Sequence, residues 1–225
     1  MQCLFSSKPR WERRKDARPQ ELLAAALDLF VERGFASTRL DDVAKRAGVS
    51  KGTLYLYFSN KEELFKAVVR ENILPSIGEA ENSIAGFEGS SVDLFRALVF
   101  AWWHRIGETP ASGICKLVMS EAGNFPELAA FYQEEVIQRS HAMITRLLDR
   151  GIARGEFRNV DTIQLANVLA APIVMLMLSK HSFNLCQVAS PEEYLNKFID
   201  LCLHGLLKTP AGDSAASSAN AEPPC

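Results

Sequence analysis

Two short helical patterns stand almost end to end near the start of this 225-residue chain. Leu40, Val43, Ala44 and Ala47 recur at i, i+3, i+4 and i+7, and Leu54 and Phe58 follow four apart. A turn at Ala47-Gly48-Val49-Ser50 joins them. So short a glycine-bearing turn forces the two helices to cross, leaving the second free to project while the first braces it. Thr38 with Asp41 three residues on fits a capping box for the first helix, and Ser50 is placed to cap the second.

Helical spacing continues on both sides. Leu22, Leu23, Ala26, Leu27, Phe30 and Val31 share a face between Pro19 and Gly34. Asn60 with Glu63 opens a fourth helix, whose Leu64, Phe65, Val68 and Val69 face inward until Pro75 and Gly78. After a loose stretch near Gly86 to Ser91, the spacing predicts helices over roughly 92–106, 112–121, 126–154, 161–182 and 191–207. Pro172 is expected to kink its helix rather than end it. No segment alternates convincingly as a strand, and no solenoid period is visible. The expectation is an all-α chain of about nine helices. It divides into a basic tail (1–15), a three-helix helix-turn-helix domain (16–76), a larger helical domain for effector binding and dimerisation (77–208), and an Ala/Ser/Pro/Gly tail (209–225).

The net charge of −2 conceals an uneven distribution. Lys8 to Arg70 hold 14 basic against 9 acidic residues, so the remainder is acidic. A basic first third suggests that this part alone meets a polyanion. Lys8, Arg10, Arg13, Arg14, Lys15 and Arg18 suit a phosphate backbone or a minor groove, and equally a solvated leader. The five cysteines form no C-x-x-C pair, which indicates neither a disulfide framework nor zinc. The greasiest stretch, Leu165 to Leu178, carries Asn167 and Pro172 and reads as too short to span a bilayer. Neither cofactor nor membrane is expected, and the reduced cytoplasm is the expected compartment.

On the second helix of the crossing pair only Leu54 and Phe58 are needed for a core. Lys51, Thr53, Tyr55 and Tyr57 remain near its exposed side with ammonium and hydroxyl donors suited to phosphate oxygens and base edges. Gly52 removes a side chain where backbone can approach a duplex, and Lys61 puts a cation beside a helix N-terminus that already favours anions. The same residues also suit an ordinary solvated helix surface.

The run from Leu22 to Phe35 resembles the first helix of the tetracycline-repressor (TetR) family, and Leu40 to Leu64 is similar to its helices two to four almost throughout. The likeness covers about residues 16 to 76, with apolar, turn and contact positions in one register. It implies that Thr38, Ser50, Thr53, Tyr55, Tyr57 and Lys61 hold phosphates and that Lys51 and Gly52 meet base edges. Arg39 departs from the family pattern, standing where many relatives carry Ser or Thr; it either makes a charged phosphate contact or points to solvent. Leu56 either touches a thymine methyl or packs.

A short recognition helix reads few base pairs, so specificity needs two copies on adjacent groove faces. The double-stranded operator is therefore expected to be palindromic and the protein a homodimer, most simply a repressor. Leu169, Ile173, Leu176, Tyr194, Phe198 and Leu201 are candidate interface residues, because helices 161–182 and 191–207 are apolar around much of their circumference. Phe95, Leu98, Trp102, Trp103, Arg105, Met119, Phe131 and Tyr132 are candidates for an apolar pocket that binds a small-molecule effector, though each also suits plain core packing. A bound effector would then favour a state whose recognition helices are misplaced for adjacent grooves, with helix four as the lever.

Two other readings compete. An enzyme finds little support, because His104, His141, His181 and His204 lack ligand spacing, and neither a phosphate-binding glycine loop nor a nucleophile elbow is present. A helical adaptor keeping a degenerate helix-turn-helix is opposed by the intact set Thr53, Tyr55, Tyr57 and Lys61.

Overall fold

All the helical patterns form in the computed structural model, which describes residues 18–182 and 190–207. The N-terminal tail, the 209–225 tail, Cys3, Cys186 and Cys225 lie outside the described residues. Helix α1 (Arg18–Arg33) ends where Gly34 takes a φ of +84°, a conformation that other residues adopt only with strain. Helices α2 (Leu40–Arg46), α3 (Lys51–Tyr55) and α4 (Lys61–Asn72) follow, and Gly48 makes the α2–α3 turn at φ +67°. Phe30, Phe35 and Phe65 clasp one another with ring centroids 5.6 to 5.7 Å apart, tying α1 to α4. Burying a ring of this kind contributes about 1.5–3 kcal/mol.

Two caps form as the spacing predicts: Ser50 accepts from Thr53 N–H, and Asn60 from Glu63 N–H. The capping box at α2 does not form. The N-cap is Arg39, without a side-chain cap bond, and Thr38 turns inward. Its hydroxyl donates to the Gly34 carbonyl at 2.7 Å, with that of Leu29 at 3.2 Å, so it closes the end of α1 instead of opening α2.

Pro75 does not stop the chain. After a break at Ile73 a further helix, α5 (Leu74–Gly86), begins with the proline in its first turn, where the missing N–H has no intrahelical acceptor to lose. Then come α6 (Ser91–Trp102) running into a π-helical turn (Trp103–Gly107), α7 (Ser112–Glu121), α8 (Pro126–Tyr132) with a π segment (Gln133–Gln138), and α9 (Arg139–Ala153). Helices α10 (Thr162–Ser182) and α11 (Pro191–Leu206) complete the order. With contiguous segments taken as one rod each, and α4–α5 as one bent rod, the described residues form nine rods. The one extended pairing among them is an isolated bridge between Phe157 and Leu207.

Helix α1 packs on α2, α4 and α7; α7 and α9 pack on α10; α11 closes over α6 and α10. At Gly113 the approach of α1 to α7 is close: a Cβ there would meet the Val31 methyls at 2.6 and 2.8 Å. The C-terminal end of α10 is tied down as well. Lys180 donates to the Gly107 carbonyl, Lys116 donates to the His181 carbonyl, and His181 Nε2 lies 2.8 Å from Ser112 Oγ.

Helix α10 corrects one expectation. Pro172 lies inside it, and at 21 residues it is long and apolar enough, by length and composition, to cross a membrane. Its packing on α7, α9 and α11 places it within the bundle, yet only Ala166, Leu169 and Met177 are buried.

Candidate nucleic-acid interface and cavity

Helix α3 is short, with Leu56 already its C-cap, so it offers one and a half turns to a partner. Leu54 is fully buried, Phe58 is half-buried, and Tyr55, Leu56 and Tyr57 stand out at 46%, 84% and 41% exposure. Leu56 thus stands in solvent between the two tyrosine rings and adds nothing to the core. Ser50, Lys51 and Gly52 are exposed and Thr53 is half-buried. Around Gly52 a Cβ would find only Ser50 Oγ, at 3.8 Å, so the space beyond that backbone is open. Lys51 reaches back to Asp41 at 2.8 Å, and that carboxylate pushes its ammonium pKa up. The pair is exposed on both sides and therefore weak. Arg39 is exposed at the start of α2 and makes no ion pair with the described residues. Lys45, which the spacing did not single out, shares both properties; being a cation on the outer side of α2 was its only signal.

Two residues expected to face phosphates face the protein. Thr38 is 1% exposed, with its hydroxyl committed to α1 carbonyls. Lys61 is half-buried, and its ammonium donates to the carbonyls of Phe35 at 2.7 Å and Ala36 at 3.1 Å above the Phe35 ring. Burial lowers its pKa. Both residues shape the α1–α2 connection. Glu121 of α7 joins them there, accepting from Ala36 N–H at 3.2 Å, and Phe125 packs edge-on against Phe35 at 4.8 Å.

A cavity of about 450 Å³ opens among α5, α6, α7, α9 and α10. Its wall is almost wholly apolar. Phe95, Leu98, Trp102, Arg105, Met119 and Tyr132 line it as the spacing predicts. Trp103 and Phe131 do not. In the π-helical turn the Trp103 ring lies against Gly107, where a Cβ would meet it at 2.1 Å. Phe131 turns toward α4, under the Lys66 ammonium at 5.6 Å and the Arg70 guanidinium at 5.1 Å. Each π segment borders the cavity, the first through Arg105 and the second through Val136 and Ile137.

Arg105 is paired with Glu79, and both sit half-exposed at the rim. His104 pairs with Glu108 outside the cavity, and Gln133 is exposed and does not line it. The polar groups that do reach inside include Cys115, Ser140 and His141. Burial pushes the Cys115 thiol up to about 11 and holds the His141 imidazole below its ordinary value. Nothing in the periodicity marked Ser140 and His141, because the π segment just before α9 shifts the phase of the turns that follow it. Among the described residues no group of three His, Cys, Asp or Glu side chains is arranged to hold a metal ion.

The candidate interface residues divide. Leu169 and Phe198 are buried within this one chain; Phe198 packs on Phe95 with centroids 6.3 Å apart, and both residues line the cavity. Ile173 and Leu176 are half-buried, as is Tyr194, whose hydroxyl donates to the Pro172 carbonyl. Leu201 is 75% exposed. The uncovered apolar side of α10 is formed instead by Ile163, Val168 and Met175, a set that the all-round apolar character of the helix could not resolve.

The family model described as bacterial regulatory proteins of the tetR family matches residues 22–68, and the tetracyclin repressor-like C-terminal domain matches residues 88–185. Together they take in well over half the chain. The HTH-type transcriptional regulator YdeS of Bacillus subtilis is 28% identical over 173 residues, 73% of this chain and 80% of that protein. The HTH-type transcriptional activator FasR of Mycolicibacterium smegmatis is 46% identical over 59 residues, 26% of this chain and 27% of that one. Among solved structures, a transcriptional regulator from Saccharomonospora viridis in complex with choline superposes with a TM-score of 0.73 at 19% identity, covering 87% of this chain and all of that one, a likeness of fold.

Proposed function

Because the chain belongs to the tetracycline-repressor (TetR) family, and is thus a DNA-binding transcriptional regulator, we propose that it represses transcription as a cytoplasmic homodimer released from a palindromic operator by a small, mainly apolar effector. One observation carries the proposal. Helix α7 lines the cavity with Cys115, Val118 and Met119, while its Gly113 and Glu121 touch α1 and the connection after it. An occupant that displaces α7 therefore displaces the support of the helix-turn-helix. Binding shifts the population toward the state the occupant prefers, by no more than its differential affinity.

In this reading α3 enters the major groove. Lys51 and Gly52 meet base edges, Ser50, Thr53, Tyr55 and Tyr57 hold phosphates, and Arg39 adds a charged contact beside them. Thr38 and Lys61 set the angle at which the unit is presented. The domain boundary falls near residue 76, in the first turn of α5. Two copies meet through α10 and α11, covering Ile163, Val168, Met175 and Leu201, which explains an apolar helix left open in a single chain.

The test is a mobility-shift titration with DNA from upstream of the chain's own gene, paired with a reporter assay. A two-fold symmetric footprint, half-sites about one helical turn apart, and reporter output that rises when the protein is absent support the reading. A protein that stays monomeric on DNA overturns the dimer. Reporter output that falls without the protein overturns repression in favour of activation, the role printed for FasR.

A further inference from the structure

We propose that the cavity selects an uncharged ligand, an apolar body bearing one hydrogen-bonding oxygen, and that the Tyr132 hydroxyl is the group that meets that oxygen. This rests on the effector reading above and deepens it. Tyr132 is 8% exposed and its ring forms part of the cavity wall. Its hydroxyl has no hydrogen-bond partner among the described residues, yet it is not sealed in protein, because it opens into the cavity. A hydroxyl that faces a mainly apolar cavity finds few acceptors on its walls, so its natural complement is an acceptor brought by an occupant.

The charges around it explain why that acceptor is neutral. The full charges on the wall are Arg105 and Glu79, half-exposed at the rim beside each other, so no full charge stands on the buried part of the wall. Deeper in, burial keeps the Tyr132 phenol and the Cys115 thiol protonated and the His141 imidazole uncharged near neutral pH. A carboxylate placed beside Tyr132 would be an unpaired charge in an apolar site, and must either bury that charge or take up a proton. A quaternary ammonium would find aromatic faces at Phe95, Trp102 and Phe198, but the one carboxylate on the wall, Glu79, sits half-exposed at the rim with Arg105 beside it.

Three probes with ten-carbon chains separate these cases: decan-2-one, decanoate and decyltrimethylammonium, titrated calorimetrically into the full chain at pH 7 without DNA. The ketone is expected to bind tightest and decanoate at least about a hundredfold more weakly, the factor set by protonating a carboxylate at neutral pH. Tyr132→Phe is expected to weaken the ketone about five- to tenfold, the loss of one hydrogen bond, and to leave the melting temperature unchanged, since the hydroxyl has no partner to lose among the described residues. Equal or tighter binding of either charged probe overturns the proposal, as does a Tyr132→Phe variant that binds the ketone undiminished, or the absence of binding by all three. Failure of the regulator reading looks different. There the ketone binds and depends on Tyr132, but operator affinity does not respond to it.

Discussion

The Lys61 ammonium sits over the Phe35 ring, 4.4 Å from its centroid, and donates to the Phe35 carbonyl at 2.7 Å. A residue whose place in the sequence suggests a phosphate contact thus anchors the α1–α2 connection to the first turn of α4. Lys61→Ala removes two charge-assisted bonds and a cation–π contact. Allowing for partial exposure, it is expected to cost about 1–2 kcal/mol, or roughly 2–8 °C in Tm. The slope of log K for operator binding against log salt is expected to stay as in the parent protein. Arg39→Ala, at an exposed position at the start of α2, is expected to do the reverse, flattening that slope by about one with little change in Tm. A flattened slope for Lys61→Ala would return that ammonium to the DNA surface.

Thr38→Val tests the neighbouring anchor. Loss of the hydroxyl leaves the Gly34 carbonyl without its partner, and a destabilisation of about 1–2 kcal/mol is expected in a urea melt. Measured where the variant is fully folded, operator affinity is expected to fall less than about threefold, well short of a lost phosphate bond. A tenfold loss there would mean that the hydroxyl reaches DNA.

Glu156 governs an acid-sensitive tie between α6 and the chain after α9. Hydrogen bonding from Ser91, whose backbone N–H donates to it, with Arg154 next, holds its carboxyl well below the usual range, at about 2. A carboxyl whose folded pKa lies below its unfolded one adds stability above the unfolded value, and that stability is lost as pH falls through the folded value. Thermal melts of the parent protein are therefore expected to decline from about pH 5 toward pH 2. Glu156→Gln is expected to be less stable at pH 7 and to show a shallower decline over that window. Parallel curves for the two proteins would remove Glu156 from the acid response.

The open side of α10 yields a prediction about assembly. Val168 is 63% exposed in the single chain, so Val168→Glu is expected to leave the fold and its melting cooperativity intact. Under the proposed pairing the substituted carboxylate is buried against a second copy. Dimerisation, read by sedimentation equilibrium, is then expected to weaken at least about a hundredfold, and operator binding with it. Leu169→Glu, one position along and buried, is expected to unfold the protein instead. A Val168→Glu dimer as tight as the parent would place the interface elsewhere.

Much of this architecture is legible in the residue order, for identifiable reasons. Ser50 and Asn60 announce their helices because a capping side chain acts within three residues, and Gly34 and Gly48 because positive φ is a local demand. Helix α5 is hidden because Pro75 reads equally as a stop or as a first turn, a choice settled by burial of Ile77 and Ile84. The exposed set on α3 is readable since two core positions there determine the rest. The inward turn of Thr38 and Lys61 is not, because their acceptors are backbone carbonyls of other turns, invisible to side-chain pattern. Trp103 leaves the cavity, and His141 enters it, at π-helical segments that break the 3.6-residue phase, whereas Phe131, ahead of the second segment, is drawn to Lys66 and Arg70 of α4. Whether Leu169 or Val168 faces the outside depends on which neighbours arrive, and an all-round apolar helix carries no such information.

The contact at Gly113 has a mechanical corollary. Val31 is β-branched and stiff, and with its methyls already at touching distance α1 has no clearance over α7. Slack at that bearing would let the cavity helices shift without the DNA-reading end noticing; its absence means that displacement on one side must be transmitted or resisted. A side chain as small as alanine at this position acts as a shim, altering the resting tilt of the reading head before any effector arrives.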